Sequence, residues 1–179
     1  PMVLTGRLIK MKHPDSKVVF IGPCAAKKLE ASRKSVRSDI DFVLTFEEMM
    51  GLFEAKNIDL ETIAEEKGVS EASTDGRNFA VAGGVATAVV NCIKKMYPGQ
   101  EVKVESAQGL RECKKMMTLA KAGRYNGYLL EGMACPGGCV AGAGTLQAIQ
   151  KSTVAVKQYA KEADYEFCCD TDYLKDLEQ

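Results

Sequence analysis

Residues 128–145, YLLEGMACPGGCVAGAGT, decide how this chain is to be read. Tyr128–Leu130 is an apolar run of strand length, and it feeds directly into a glycine-rich loop carrying Cys135 and Cys139. Pro136 fixes one backbone torsion, and the two glycines after it reach angles closed to other residues. Such a loop lets main-chain N–H groups come close to a ligand and donate to sulfide or thiolate. The small residues Ala141-Gly142-Ala143-Gly144 keep the far side uncrowded. A tight turn with two buried thiols is the bland alternative, and it explains the cysteine pair without explaining the density of glycine.

Working outward, a second loop of the same kind lies near the N-terminus. Val18–Ile21 is another short apolar run, followed at once by Gly22-Pro23-Cys24 and then Lys27 and Lys28. A lone cysteine after a strand is more often a core residue than a ligand, and Lys27 with Glu30 reads equally as an ordinary i,i+3 helical pair. Context raises Cys24: a Gly-Pro turn precedes it, a cation follows it, and a matching loop exists elsewhere. Three thiols on tight loops, one beside a cation that would stabilise thiolates and anionic ligands, point to an iron–sulfur site. A cubane takes four thiolates, and these loops supply three. A tetrahedral zinc site completed by water or by Cys168 or Cys169 is the weaker metal alternative.

Between the loops, strands and helices alternate. Leu4, Leu8 and Met11 recur at helical spacing until His13-Pro14-Asp15 ends the run. Asp41–Thr45 reads as a strand, and Thr45 with Glu48 as a capping box opening a helix that carries Phe46, Met49, Met50 and Phe53 on one face. Asn57–Asn78 is charged and weakly periodic, a connection with one short helix. Gly83-Gly84 opens a helix with Val85, Ala88, Val89, Cys92 and Met96 inward, stopped at Pro98-Gly99. Val102–Ser106 is a strand, Leu110, Cys113, Met117 and Ala120 mark the next helix, and Leu146–Ala163 is a last long one. Strands separated by helices of this length imply an α/β fold of parallel βαβ units. Both cysteine loops leave the C-terminal end of a strand, where open α/β sheets place ligands. The chain reads as one domain over 1–179, with two small lobes at 1–75 and 76–179 and the cluster site between them.

Composition narrows the class. The 179 residues are 46% hydrophobic and 27% charged, with Lys+Arg and Asp+Glu balanced at 24 each, so no net field favours nucleic acid or an anionic membrane. No apolar stretch is long enough to span a bilayer, and the N-terminus lacks a signal-peptide core. A start at Pro1 suggests that something upstream has been removed. Seven cysteines without an export signal point to the cytoplasm, where thiols serve metals or redox chemistry. Cys92 and Cys113 read as core packing, and His13, the only histidine, as a turn residue rather than a base.

Taken together the motifs resemble one family. PCAAKKLE, from Pro23, is similar to the PCTxKKxE signature of the [FeFe]-hydrogenase (iron hydrogenase) catalytic domain, and EGMACPGGCVAGAGT to its ExMACPGGCxxGGGQ signature. Gly83-Gly84-Val85 resembles the family's SGGVMEAAL segment at a helix start, so the likeness spans essentially the whole chain. The resemblance implies an H-cluster: a [4Fe–4S] cubane joined through cysteine to a two-iron subsite. Cys24 and Cys135 would bind the cubane and Cys139 would bridge to the two-iron unit. Lys27 would hydrogen-bond an iron-bound cyanide, with Glu30 orienting it, Met133 would pack against the subsite, and Gly83 and Gly84 would border the cofactor.

The same resemblance implies reversible H2 oxidation, an electron carrier of the ferredoxin type, maturation factors and an upstream segment of the same protein. That segment would hold the family's TSCCPxW signature, which is absent here and which supplies the fourth cubane thiolate. Ala25, Ala143 and Thr145 replace the family's threonine, glycine and glutamine, as in sensory or divergent branches. The chain by itself is therefore expected to carry no cluster and to be inactive. Three parent functions fit: a hydrogenase, a sensor of H2 or redox state, and a simpler cubane carrier related to cluster-assembly factors.

Overall fold

The computed structural model describes residues 1–36, 38–64 and 71–173. The chain folds into two compact units, Pro1–Glu65 with Gly142–Leu146, and Glu66–Ala141 with Gln147–Gln179. Each contains one parallel β-α-β element, as the alternation of patterns predicts.

In the first unit, α1 (Met2–Lys12) leads to β1 (Val19–Ile21), α2 (Ala26–Ser32), β2 (Phe42–Leu44) and α3 (Phe46–Ala55). β1 and β2 pair in parallel with Phe20 opposite Val43. Parallel strands need a crossover connection, and the segment through α2 supplies it. Met2, Val18 and Ile40 form the buried centre, with Val3, Phe20, Ala31 and Val43 packed around it. Each such aliphatic side chain, taken fully out of water, contributes roughly 1.5–3 kcal/mol. The approach of α1 is close at Gly6, where a Cβ would stand 2.5 Å from Ile40 Cδ1. Helix α3 starts as the sequence reading expects. Thr45 Oγ1 accepts from Glu48 N at 3.2 Å, and Glu48 Oε2 accepts from Thr45 N at 2.8 Å.

The second unit runs α4 (Thr74–Arg77), α5 (Gly84–Met96), β3 (Lys103–Gln108), α6 (Leu110–Lys121), β4 (Tyr128–Met133) and α7 (Ile149–Lys161). β3 and β4 pair in parallel over their full length, from Lys103 opposite Tyr128 to Gln108 opposite Met133. The short helix expected in the connection after Asn57 is α4; residues 65–70 of that connection lie outside the described residues. Its core is built of small residues, with Ala86, Ala88, Ala107 and Ala160 buried beside Met116 and Val140.

Four helical faces differ from the sequence reading: in α1, Met2 is buried while Leu4 and Met11 of the apolar stripe are exposed, and in α3, Phe46 and Met50 are exposed. In α6, Met116 is the buried methionine, while Met117 and Leu110 are exposed. Two adjacent methionines fit an apolar stripe equally well, and the crossover onto β3 and β4 selects the first of them. In α5, Met96 is 65% exposed in the last turn before Tyr97. The last helix begins at Ile149 rather than Leu146, since Gly142–Leu146 belongs to the first unit.

Candidate metal centre

The paired strands of the second unit set the geometry of the cysteine loop. Register places Gln108 and Met133 side by side at the C-terminal ends of β3 and β4, and Gly109 N donates to Met133 O at 2.8 Å. From there Gln108 reaches into the loop, its Oε1 accepting from Gly137 N at 2.8 Å. Gly138 N closes the turn onto Cys135 O at 3.0 Å, and Ala82 N donates to Gly137 O at 3.0 Å. Gly138, at φ +98°, sits in a conformation that disfavours any side chain. A Cβ there would lie 2.5 Å from Ala82 N and 2.7 Å from Ala80 O, so two backbones meet where the side chain would be. The N–H groups of both loop glycines are thus engaged within the protein, and the glycines act here by permitting close backbone packing.

Glu131, buried in β4 two residues before Met133, ties this loop's strand to the start of α5. Its carboxylate accepts from Gly83 N at 2.7 Å and from Ala86 N at 3.0 Å. Those are N–H groups at a helix start, which have no partner within the helix and carry its positive end. Gly83 and Gly84 answer different demands. Gly83 precedes the helix at φ +88° with open space beside it, whereas a Cβ on Gly84 would fall 2.0 Å from Asn78 O. Glu131 and Gln108 were not singled out from sequence. The available signal was a carboxylate inside an otherwise apolar strand and an amide at the matching strand end.

Cys24 stands in the first unit, directly after β1. Gly22 N donates to Leu44 O at 3.0 Å, which continues the pairing with β2 by one residue. Cys24 O accepts from Lys27 N at 3.2 Å as the chain turns into α2. Pro23 O accepts from Gly144 N at 2.9 Å, and a Cβ on Gly144 would lie 2.5 Å from Thr45 Cβ. Lys27 forms the i,i+3 ion pair with Glu30 that the spacing predicts. Lys28 instead meets both oxygens of Glu48, at 2.7 and 2.8 Å. That ammonium, followed by the hydrogen bond from Thr45 N, holds the Glu48 carboxyl below its ordinary pKa.

None of the seven cysteines is disulfide-bonded. Cys24 and Cys135 are half-buried and Cys139 is exposed, while Met133 is half-buried at the root of the loop. Among the described residues no group of three or more His, Cys, Asp or Glu side chains is gathered as it would be around a metal ion. The donor set nonetheless fits an iron–sulfur group. Cys135 and Cys139 are soft ligands on a loop whose backbone is pinned by Gln108, Ala82 and Gly138, and the turn from Cys135 to Cys139 carries no carboxylate to compete for the metal. Cys168 is not an adjunct to that loop: its sulfur lies 3.2 Å from Cys92 Sγ. Cys113 donates to the carbonyls of Ala107 and Met133, consistent with a packing role.

A parallel α/β scaffold with glycine-shaped thiol loops at its strand ends defines the class of protein. The profile of the family described as the iron only hydrogenase large subunit, C-terminal domain, matches residues 1–143. The chain belongs to that family. It is similar to the periplasmic [Fe] hydrogenase large subunit of Nitratidesulfovibrio vulgaris, 29% identical over 86% of this chain and 48% of that protein. It is also similar to the cytosolic Fe-S cluster assembly factor NAR1 of Eremothecium gossypii, 26% identical over 72% of this chain and 32% of that protein. The chain therefore spans about half or less of these relatives' length. Its fold is like that of a variant of the [FeFe]-hydrogenase HydA1 from Chlamydomonas reinhardtii. There the TM-score is 0.70 at 20% identity, over 98% of this chain and 63% of that one.

Proposed function

We propose that this chain is the cluster-binding C-terminal portion of a protein that interconverts H2 with protons and electrons, H2 ⇌ 2H⁺ + 2e⁻. The observation that supports it best is the Cys135–Cys139 loop, fastened at the end of β4 by Gln108 in a chain of the iron-only hydrogenase family. In this reading Cys24 and Cys135 would hold a [4Fe–4S] cubane, and Cys139 would hold the two-iron subsite to it. When bound, that subsite supplies the metal at which the H–H bond is cleaved or formed.

The chain's own residues do the rest. Each ligating thiol gives up its proton on binding, which makes loading favourable at higher pH. Lys27, three residues after Cys24 and paired with Glu30, would donate from its ammonium to an anionic iron-bound cyanide, with Glu30 orienting it. Met133 would pack on the subsite, and Gly83 and Gly84 would let the start of α5 approach it without a side chain intervening. The fourth cubane thiolate comes from an upstream segment of the same protein, electrons pass to a ferredoxin-type carrier, and maturation factors install the two-iron unit. No helix of the described residues is long and apolar enough to cross a membrane. We place the parent protein in the cytoplasm on its cysteine content, although one relative is periplasmic by name.

A second reading, a cubane carrier without the two-iron unit, is favoured by the likeness to the assembly factor NAR1. Anaerobic reconstitution with ferrous iron, sulfide and an added small thiol tests the ligand assignment. With the small thiol standing in for the upstream ligand, we expect about four iron and four sulfide per chain, lost in Cys135→Ala and in Cys24→Ala. An unchanged cluster in both variants would sink the assignment. Carbon monoxide and cyanide stretching bands in the infrared, after treatment with the hydrogenase maturation proteins, would support the hydrogenase reading. A stable cubane that never acquires those bands would favour the carrier.

A further inference from the structure

The thiols left over from the cluster loops form a group of their own. Cys92, on the inner half of α5, and Cys168, in the short turn Cys168–Asp170 after α7, lie 76 positions apart in sequence with their sulfurs 3.2 Å apart. Cys169 lies close enough to Cys92 for each to affect the other's ionisation. The turn is fastened to α5 independently of sulfur. Lys95 pairs with Asp170 and lies over the Phe167 ring at 5.5 Å. Thr171 Oγ1 donates to Cys168 O at 3.0 Å, which fixes the turn itself. All of these residues belong to the second unit.

We infer that Cys92 and Cys168 are a disulfide-forming site that reacts with low-molecular-weight disulfides. A disulfide needs its sulfurs at about 2.05 Å, so closure asks for a shift of about 1 Å between side chains whose backbones are already held. The exchange is R–S–S–R + 2 protein S–H → protein S–S + 2 R–S–H. One cysteine thiolate attacks a sulfur of the reagent and expels R–S⁻; the second displaces the other R–S⁻ from that mixed disulfide. Two electrons pass from the protein sulfurs to the reagent sulfurs, and the two protons end on the departing thiols. The bridge would close a covalent loop containing β3, α6, β4, the Cys135–Cys139 loop and α7. It would join the C-terminal turn to the helix whose first N–H groups are held by Glu131. Burial raises the pKa of the Cys92 thiol, and of Cys169 beside it, so little thiolate is present at neutral pH and exchange is slow. Equilibrium, rather than rate, is therefore the quantity to measure.

The whole chain, free of iron, would be equilibrated in glutathione buffers of graded oxidised-to-reduced ratio, quenched with an alkylating agent, and mapped by mass spectrometry without reduction. We expect a chain lighter by two hydrogens and a peptide joining Cys92 to Cys168. That peptide should appear at a more reducing ratio than any bridge involving Cys24, Cys135 or Cys139, be lost in Cys92→Ser, and persist in Cys113→Ser. The bridged form should also melt about 10 °C higher, as a long closed loop in a domain of this size implies. Separate alkylation of Cys92 and Cys168 in the wild-type chain at every ratio would overturn the proposal. So would a Cys92–Cys169 bridge in its place, or a bridged form that melts lower. Because the mapping is done on the wild-type chain without metal, its outcome is independent of whether the cluster assignment holds.

Discussion

The two cysteine loops share a plan, a strand end followed by Gly, Pro and Cys, yet they are held in place by different forces. Around Cys135 the constraint is backbone against backbone: Gly138 fills a space with no room for a methyl group, and Ala82, Gln108 and Glu131 spend their hydrogen bonds on main-chain atoms. Around Cys24 the constraint is carried by side chains: the Lys27–Glu30 and Lys28–Glu48 pairs, and the Thr45 capping box. Even the glycine before Cys24 differs, since a Cβ on Gly22 would meet only the Phe20 ring, at 2.9 Å. Backbone packing is intolerant of change, and exposed ion pairs are worth little each. The Cys135 loop is held mainly by main-chain packing and the Cys24 loop mainly by side-chain pairs.

The sharpest way to break that contrast is a matched pair of substitutions. Gly138→Ala should destabilise the second unit by about 3 kcal/mol or more, from the positive φ and the backbone collision together. Gly22→Ala should cost the first unit less than about 1.5 kcal/mol, because an aromatic side chain can turn aside where a carbonyl cannot. Urea unfolding followed separately for the two units would measure both; equal costs would end the distinction. Next in size, Glu131→Ala should cost about 2–3 kcal/mol, because it strands Gly83 N and Ala86 N in a buried place. Hydrogen exchange at those two amides should rise more than at the end of α5.

Smaller effects test the side-chain half. Thr45→Ala removes one arm of the capping box and should cost the first unit about 1 kcal/mol by thermal unfolding. Asp41 offers a pH readout in the same unit. The Lys10 ammonium at 2.8 Å, and then the hydrogen bond from Val18 N at 2.8 Å, lower its pKa from 3.8 to about 2. A carboxyl with a depressed folded-state pKa stabilises the fold above its unfolded value and loses that contribution as pH falls through the folded one. The stability gap between the wild type and Asp41→Asn should therefore be full at neutral pH, shrink below about pH 4, and vanish near pH 2. A gap that stays constant over this range would mean Asp41 acts by shape rather than charge.

Much of the scaffold was legible from local pattern. The parallel β-α-β units, the Thr45–Glu48 capping box and the helix opened by Gly83-Gly84 all follow from spacing and from residues with restricted backbones. What failed did so where two readings of one pattern were equally good. Met116 and Met117 occupy neighbouring positions on one stripe, and only the packing of α6 on the sheet decides between them. Leu146 continues the periodicity of α7, yet the chain around it is drawn into the first unit.

The identity of the thiol loops was written in the sequence, because glycine, proline and cysteine carry their constraints within a few residues and need no distant partner to declare them. The supports were decided by tertiary structure alone. Glu131 and Gln108 matter through hydrogen bonds to residues 45, 48 and 29 positions away. Cys92 and Cys168, read separately as a core residue and a terminal pair, became neighbours only when α5 and the chain after α7 packed together. Local torsional preference is legible one residue at a time, whereas proximity across the chain is a property of the packed whole.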